Sequence, residues 1–252
     1  MIVILFIIIL VTFHLKNNRV FKKKINLYNK EDLILSKLNH KNIVKLIKVK
    51  KLKNHKILYL KDEHLLSIGS YQPFTVGKMS NEKNIKKIAK QLLDALSYIH
   101  EKNIIHNDIH PHNILYNPKN NNVIIIDFDS SKIGDNILLE KKIEWIKMFY
   151  FTPPEKLINE KINLSNKIDI YGIGAILHVL LTGRTLFSFL RRKDVLKLLE
   201  ENRNKEVNGI SYTYLSNYSK ECIDLLEKLV INDPDKRISA KDSLNHNWFK
   251  NS

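Results

Sequence analysis

Cysteine is nearly absent: Cys222 is the single one in 252 residues, so no disulfide can form within the chain. That excludes a cross-linked secreted scaffold and gives a reducing, cytoplasmic compartment as the expectation. Cysteine and histidine at structural-zinc spacing are missing too. Glycine is scarce, seven in all, and none precedes Gly69. Glycine lets a backbone come close to phosphate oxygens, so the early part of the sequence carries no glycine-rich phosphate loop. Acidic residues are outnumbered, 26 against 42 lysines and arginines, for a net charge of +16. The excess is lysine scattered through Asn/Lys/Ile-rich sequence, with no arginine stripe and no aromatics spaced among basic residues. It reads as solvated surface, and no nucleic-acid partner is expected. Long apolar runs are absent except at residues 1–13, MIVILFIIILVTF. A spanning helix needs about 20 such residues, and no basic n-region or small-residue cleavage site marks a signal peptide. The Ile, Val and Phe content suits buried strands. No stable membrane span is therefore expected. An anchor stays open as the alternative, with Lys16 and Lys22 to Lys24 then favouring a cytosolic body. No internal repeat and no EF-hand loop is present.

What is there is a globular composition, 44% hydrophobic and 27% charged, long enough for one large or two-lobed domain. Its chemistry gathers in Ile104 to Asn113, I-I-H-N-D-I-H-P-H-N. A strand-like run follows and ends in Asp127-Phe128-Asp129. Phosphoryl transfer needs these parts: one carboxylate to orient an incoming hydroxyl, and an amide with a second carboxylate to hold magnesium.

Around these motifs the chain reads as alternating strands and helices. Residues 1–25 read as two or three strands, with a turn at Lys16 to Arg19 and the last strand at Val20 to Ile25. Lys22, Lys23 and Lys24 are adjacent, and alternation points Lys23 away from the other two. Glu31 opens a helical pattern ending near Asn39-His40, and a strand begins at Ile43. His55 to Asp62 reads as another strand, and His64 to Gly77 as loop. Ser80 is the expected cap of an amphipathic helix to about Lys102, with Ile85, Ile88, Leu92, Leu96 and Ile99 on one face. A polar stretch runs to about Tyr150. Ile168 to Leu181 is apolar nearly all round, the mark of a buried helix, and Gly183 suits its end. Ser219 to Val230 and Ser239 to Phe249 complete the helices. Ser239-x-x-Asp242 resembles a capping box. Cys222 falls on an apolar helical face, a packing position.

Several stretches resemble protein kinases. Ile104 to Asn113 is similar to the catalytic loop H-R-D-L-x-x-x-N, and Asp127-Phe128 to the start of D-F-G. Val20 to Ile25 has the frame of V-A-I-K, and Glu31 falls in a stretch like the kinase helix C. Thr152-Pro153-Pro154-Glu155 resembles the A-P-E end of an activation segment. K-I-D-I-Y-G-I-G-A-I-L resembles the central helix of the large lobe. D-P-D-K-R-I-S-A-K-D-S-L-N-H-N-W-F is similar to the end of kinase domains, most of all the calcium/calmodulin-dependent and calcium-dependent groups. The resemblance covers about residues 20–249 in kinase order. It implies an α+β, two-lobed fold, with a small β-rich lobe over 1–62 and a larger, mainly helical lobe over 63–252.

By that resemblance Asp108 orients the acceptor hydroxyl, and Asn113 and Asp127 hold magnesium. Lys23 grips the phosphates of ATP, paired by Glu31. Asp169 braces the catalytic loop, and Arg237 pairs with Glu155. Leu35, Leu46, Phe128 and His106 match the family's internal spine. The implied activity is transfer of the γ-phosphate of MgATP to a protein serine or threonine.

The sequence departs from the pattern in places. Besides the missing glycine loop, Asn107 replaces the arginine that meets a phosphorylated segment. His110 replaces the catalytic-loop lysine, and imidazole carries no fixed charge. Asp129 replaces the D-F-G glycine, at an expected backbone cost. Met148 stands where many Ser/Thr kinases have a threonine contacting the catalytic loop. His112 stands where basophilic kinases carry a glutamate, which points to an acidic or docking-dependent substrate. These departures support a pseudokinase scaffold as the alternative. H-N-D-I-H-P-H-N with I-D-F-D also resembles aminoglycoside and choline kinases, which makes a small-molecule kinase the third reading.

Overall fold

The structure is a computed structural model that describes residues 20–70, 81–134, 137–140, 148–202 and 206–250. The strands expected before Val20, and Ser80 as a cap, lie outside the described residues.

Val20–Ile25 forms strand β1. Asn26 then turns the chain, its side-chain oxygen accepting from the N–H groups of Tyr28 and Asn29 at 2.9 and 2.8 Å. Asn29 in turn accepts from the Glu31 N–H at 2.7 Å, just as helix α1 (Glu31–Leu35) begins. This helix stops short of Asn39. The Ser36 hydroxyl bonds back to the Leu33 carbonyl, a local alternative to the helical ladder. Leu46–Lys51 (β2) and Lys56–Lys61 (β3) complete an antiparallel sheet of order β1-β3-β2. Ile43 and Val44 are extended, as their composition suggests, yet they do not start β2. They bridge Ile125 in parallel, with Ile125 N donating to Asn42 O at 2.8 Å and Val44 N donating to Ile125 O at 2.9 Å. The sheet region is thereby tied to the strand that leads to Asp127.

Within the stretch read as loop, Leu66–Ser67 forms a short strand, β4. Helix α2 (Glu82–Glu101) is capped by Asn81, whose side chain accepts from the Lys83 N–H at 2.9 Å. All five expected apolar positions, Ile85 to Ile99, are buried. At about 1.5–3 kcal/mol per buried side chain, that stripe outweighs helix propensity in fixing α2. Ile104–Ile105 (β5) leads into the motif-bearing loop, and Pro111–Asn113 makes a single 3₁₀ turn. Ile114–Asn117 (β6) and Asn122–Ile125 (β7) form a hairpin that β4 extends. Lys132–Ile133 (β8) pairs with β5.

The stretch expected to be merely polar carries Ile137–Glu140 (β9). After α3 (Pro154–Ile158), Lys161–Leu164 (β10) pairs antiparallel with β9. Helix α4 (Lys167–Thr182) is buried on every face from Ile168 to Thr182. Gly183, at φ 70°, ends it in the left-handed region that glycine takes without strain. Close packing reaches its two interior glycines; at one of them, Gly172, a Cβ would lie 2.7 Å from the Ile109 carbonyl oxygen. Helix α5 (Arg192–Glu201) had no counterpart in the sequence reading. Helix α6 (Lys220–Leu229) is capped by Ser219 and buries Cys222. The final helical stretch breaks into α7 (Ala240–Leu244) and α8 (Asn247–Lys250). Ser239 caps α7, accepting from Asp242 N at 3.0 Å and donating to the Asp242 carboxylate at 2.6 Å. The architecture is thus a small β-sheet region followed by a mainly helical part, α+β as expected. Among the described residues, no helix is long and apolar enough to cross a membrane.

Candidate active site

The β6–β7 hairpin brings the two acidic motifs together. Asn113 precedes β6, Asp127 follows β7, and Ile126 N donates to Asn113 O at 3.0 Å. On one side stands Lys23. Its ammonium lies 2.7 Å from Glu31 Oε2 and 2.6 Å from Asp127 Oδ1. Strand alternation decides among the adjacent lysines: Lys23 points inward with the buried Ile25, whereas Lys24 is exposed and Lys22 lies over the Tyr59 ring at 5.5 Å. Burial alone lowers the Lys23 pKa. The neighbouring Glu31 and Asp127 outweigh it and raise the pKa above the ordinary value, so the ammonium stays charged. Glu31 is 1% exposed, and its other oxygen accepts from the Phe128 N–H at 3.1 Å. Helix α1 is therefore bonded to the Asp127-Phe128 turn as well as to Lys23.

On the other side the loop is held from beneath by Asp169, at the start of α4. Its carboxylate accepts from the His106 and Asn107 N–H groups at 2.8 Å each and meets His100 Nε2 at 2.9 Å. His106 is fully buried and edge-on to Phe128 at 4.7 Å. Its Nδ1 accepts from the Asp108 N–H, so Nε2 carries the proton and donates to the Ile126 carbonyl at 3.1 Å. Burial holds this imidazole below its usual pKa despite nearby carboxylates.

Asp108 itself is partly open to solvent, its side chain 43% exposed. Asn113 Nδ2 donates to its backbone carbonyl at 2.9 Å and to its carboxylate at 3.1 Å. His110 Nε2 lies 3.5 Å from the same carboxylate. Burial pushes the Asp108 pKa up, but His110, then His106 and Lys156, bring it below the usual carboxylate range. Asp108 is thus kept toward its ionised form by these neighbours and held in place by Asn113.

The candidate residues form two groups: Lys23, Glu31 and Asp127, and Asp108, His110 and Asn113. Arg237 and Glu155 pair at 2.9 and 3.0 Å, as read from the sequence. The strain expected at Asp129 is not found: the left-handed residues here are Asp127, at φ 66°, and Asn107, at φ 68°. Asp and Asn visit that region at lower cost than most side chains. The exposed Asp129 accepts from the Asn29 side chain.

One residue escaped the sequence reading. Lys156, in α3, donates to Asn107 Oδ1 at 2.9 Å and to Asn107 O at 3.4 Å. It shares a cavity of about 40 Å³ with Asp108, His110, Met148, Thr152 and Asp169. Met148 does line this cavity, but the polar contact from this segment to the loop comes from Lys156. The only sequence signal was a lysine placed between the Pro-Pro-Glu motif and an apolar residue.

Residues 10–249 match the family description "Protein kinase domain". The chain belongs to the protein kinase family. It is 29% identical over 222 residues to calcium-dependent protein kinase 4 of Plasmodium falciparum, covering 86% of this chain and 40% of the relative. It is 28% identical to serine/threonine-protein kinase cds1 of Schizosaccharomyces pombe, over 90% of this chain and 49% of that one. A third relative, calcium/calmodulin-dependent protein kinase cmkA of Emericella nidulans, is 29% identical over 88% of this chain and 52% of its own length. The chain thus spans about half the length of these curated relatives, or less. Within the kinase domain the likeness to the calcium-dependent and calmodulin-dependent groups agrees with the sequence reading.

Proposed function

We propose that this kinase domain transfers the γ-phosphate of MgATP to a serine or threonine hydroxyl of a protein. The reading is carried by the Lys23 ammonium, held by Glu31 at 2.7 Å and by Asp127 at 2.6 Å. A half-buried lysine on a strand, bridging a carboxylate from a helix and one from a turn, is a costly arrangement. Its use is to present one fixed cation beside a magnesium-ligating carboxylate. The small lobe ends at about Asp62, and the cleft after it takes the nucleotide.

The donor set fits magnesium. Asn113 commits its Nδ2 to Asp108, which leaves the amide oxygen as its cation donor. Asp127 commits Oδ1 to Lys23, and its side chain is 40% exposed. Hard oxygen donors in small number suit magnesium, which keeps waters and phosphate oxygens as its remaining ligands. When bound, magnesium offsets the charge of the phosphates and of the leaving group. The protein's part is positioning: Lys23 grips phosphate oxygens, and Asp108 orients the acceptor hydroxyl and takes its proton. His110, whose Nδ1 accepts from the His112 N–H, has its one N–H at Nε2, shared between Asp108 and the transferred group. All of this is catalysis by geometry and charge rather than by a covalent intermediate.

His110 also supports the second reading, a pseudokinase scaffold. The group beside Asp108 is an imidazole, without the fixed charge of a lysine. The test is transfer of labelled γ-phosphate from MgATP to dephosphorylated casein, with choline and an aminoglycoside as rival acceptors. Phosphoserine or phosphothreonine on casein is the expected outcome. Label on the small alcohols alone would make this a small-molecule kinase. MgATP binding without any transfer would make it a scaffold.

A further inference from the structure

Asn107 is bonded on every side. Its backbone N–H goes to Asp169 at 2.8 Å, its side-chain amide donates to the Ser130 carbonyl at 3.0 Å, and its side-chain oxygen accepts from Lys156 at 2.9 Å. Its carbonyl lies 3.4 Å from the same ammonium. These contacts hold it in the left-handed region immediately before Asp108. They also join four separate stretches: the loop itself, the turn after Asp129, α3 and the start of α4.

We propose that Lys156 is a positioning residue for Asp108, clamping Asn107 and thereby fixing the catalytic loop through a lysine of this chain, with no phosphate group required. Lys156 lines the same small cavity as Asp108 and Asp169. The charged groups facing it are Asp108 on the loop, Asp169 on α4 and the adjacent Glu155 on α3, and the His110 imidazole lines the same cavity. Burial lowers the pKa of its ammonium, and the three carboxylates partly counter that loss. A positive charge here stabilises the ionised Asp108 and the paired hydrogen bonds at Asn107 together. The clamp presents the base one residue away, and small displacements at such a position are expensive: about 1 Å costs on the order of 10²-fold in rate.

This inference rests on the kinase reading, so its test has two arms on the full chain. The first is amide hydrogen exchange of wild type, Lys156→Met and Lys156→Arg, with no substrate present. Lys156→Met is expected to speed exchange over residues 106–110 and 128–134 while leaving β1 and α1 unchanged, and Lys156→Arg is expected to restore protection. Unchanged exchange over 106–110 in Lys156→Met overturns the clamp. The second arm measures MgATP-dependent phosphorylation of casein, before and after phosphatase treatment of the enzyme. Lys156→Met should lower kcat by about 10²-fold with KM for ATP unchanged, Lys156→Arg should recover most of it, and phosphatase should have no effect. Full kcat in Lys156→Met, or loss of activity on phosphatase treatment, overturns the positioning role. If wild type itself transfers no phosphate, the kinase reading fails and the exchange arm alone judges the clamp.

Discussion

Lys22, Lys23 and Lys24 are chemically the same residue in sequence, and only the pleat of β1 separates them. Lys23 faces the carboxylates of Glu31 and Asp127, while its neighbours face outward. Lys23→Met is therefore expected to reduce MgATP turnover by at least about 10²-fold, and Lys22→Met and Lys24→Met to leave it within about twofold. Steady-state ADP release checks this, and equal losses at all three positions would refute the assignment. That Asp108, Asn113 and Asp127 come together was legible because their spacing is local: Asp108 and Asn113 are set by one turn of chain, and Asp127 by the strand before it. Lys156 was not legible. Its role depends on Asn107, far away in sequence, and a lone lysine at the start of a short helix has many solvated precedents. Asp129 was misjudged for a similar reason, since which residue of a turn takes the left-handed angle is settled by its tertiary bonds.

At the scale of elements, α2 and α4 were readable because each declares itself by burial: one apolar stripe in α2, an apolar surface all round in α4. Shorter elements were not. The extent of α1 is set by Ser36 and its neighbours, and β9 and β10 exist through pairing with each other, which local pattern does not encode. The same dependence on distant partners makes Arg237 informative. It joins the loop after α6 to α3 and α4. Its guanidinium donates to Glu155, to the carbonyls of Ile231, Asn232 and Lys167, and lies 5.1 Å over the Tyr171 ring. The side chain is fully buried, so removing it strands a carboxylate that is only 10% exposed and several carbonyls. Arg237→Met should cost about 3–5 kcal/mol, measured by urea unfolding. A loss under about 1 kcal/mol would mean that the brace is dispensable.

For the whole molecule, one buried imidazole gives the stability a pH dependence of known sign. His178 in α4 donates from Nδ1 to the Arg184 carbonyl at 2.8 Å and accepts from the Ser211 N–H at Nε2, 3.0 Å away. Burial lowers its pKa to about 4. The folded state thus takes up its proton later than the unfolded chain, whose histidine titrates near 6.5. The stability is complete above about pH 6.5 and is lost as pH falls toward about 4, by at most about 3 kcal/mol. The urea midpoint should drop over this range in wild type and drop less in His178→Gln; parallel curves would contradict the assignment. The small β region and the helical part meet at the site itself, through Glu31 with Phe128 and Ile43 with Ile125, so fold and chemistry share the same bonds. The central claim is that these bonds assemble a working phosphotransfer site. The most direct measurement is MgATP-dependent ADP formation by the wild-type chain beside Asp127→Ala, with circular dichroism of both. The account predicts turnover in wild type and its loss in a folded Asp127→Ala protein; equal rates in the two, or no turnover in either, would contradict it.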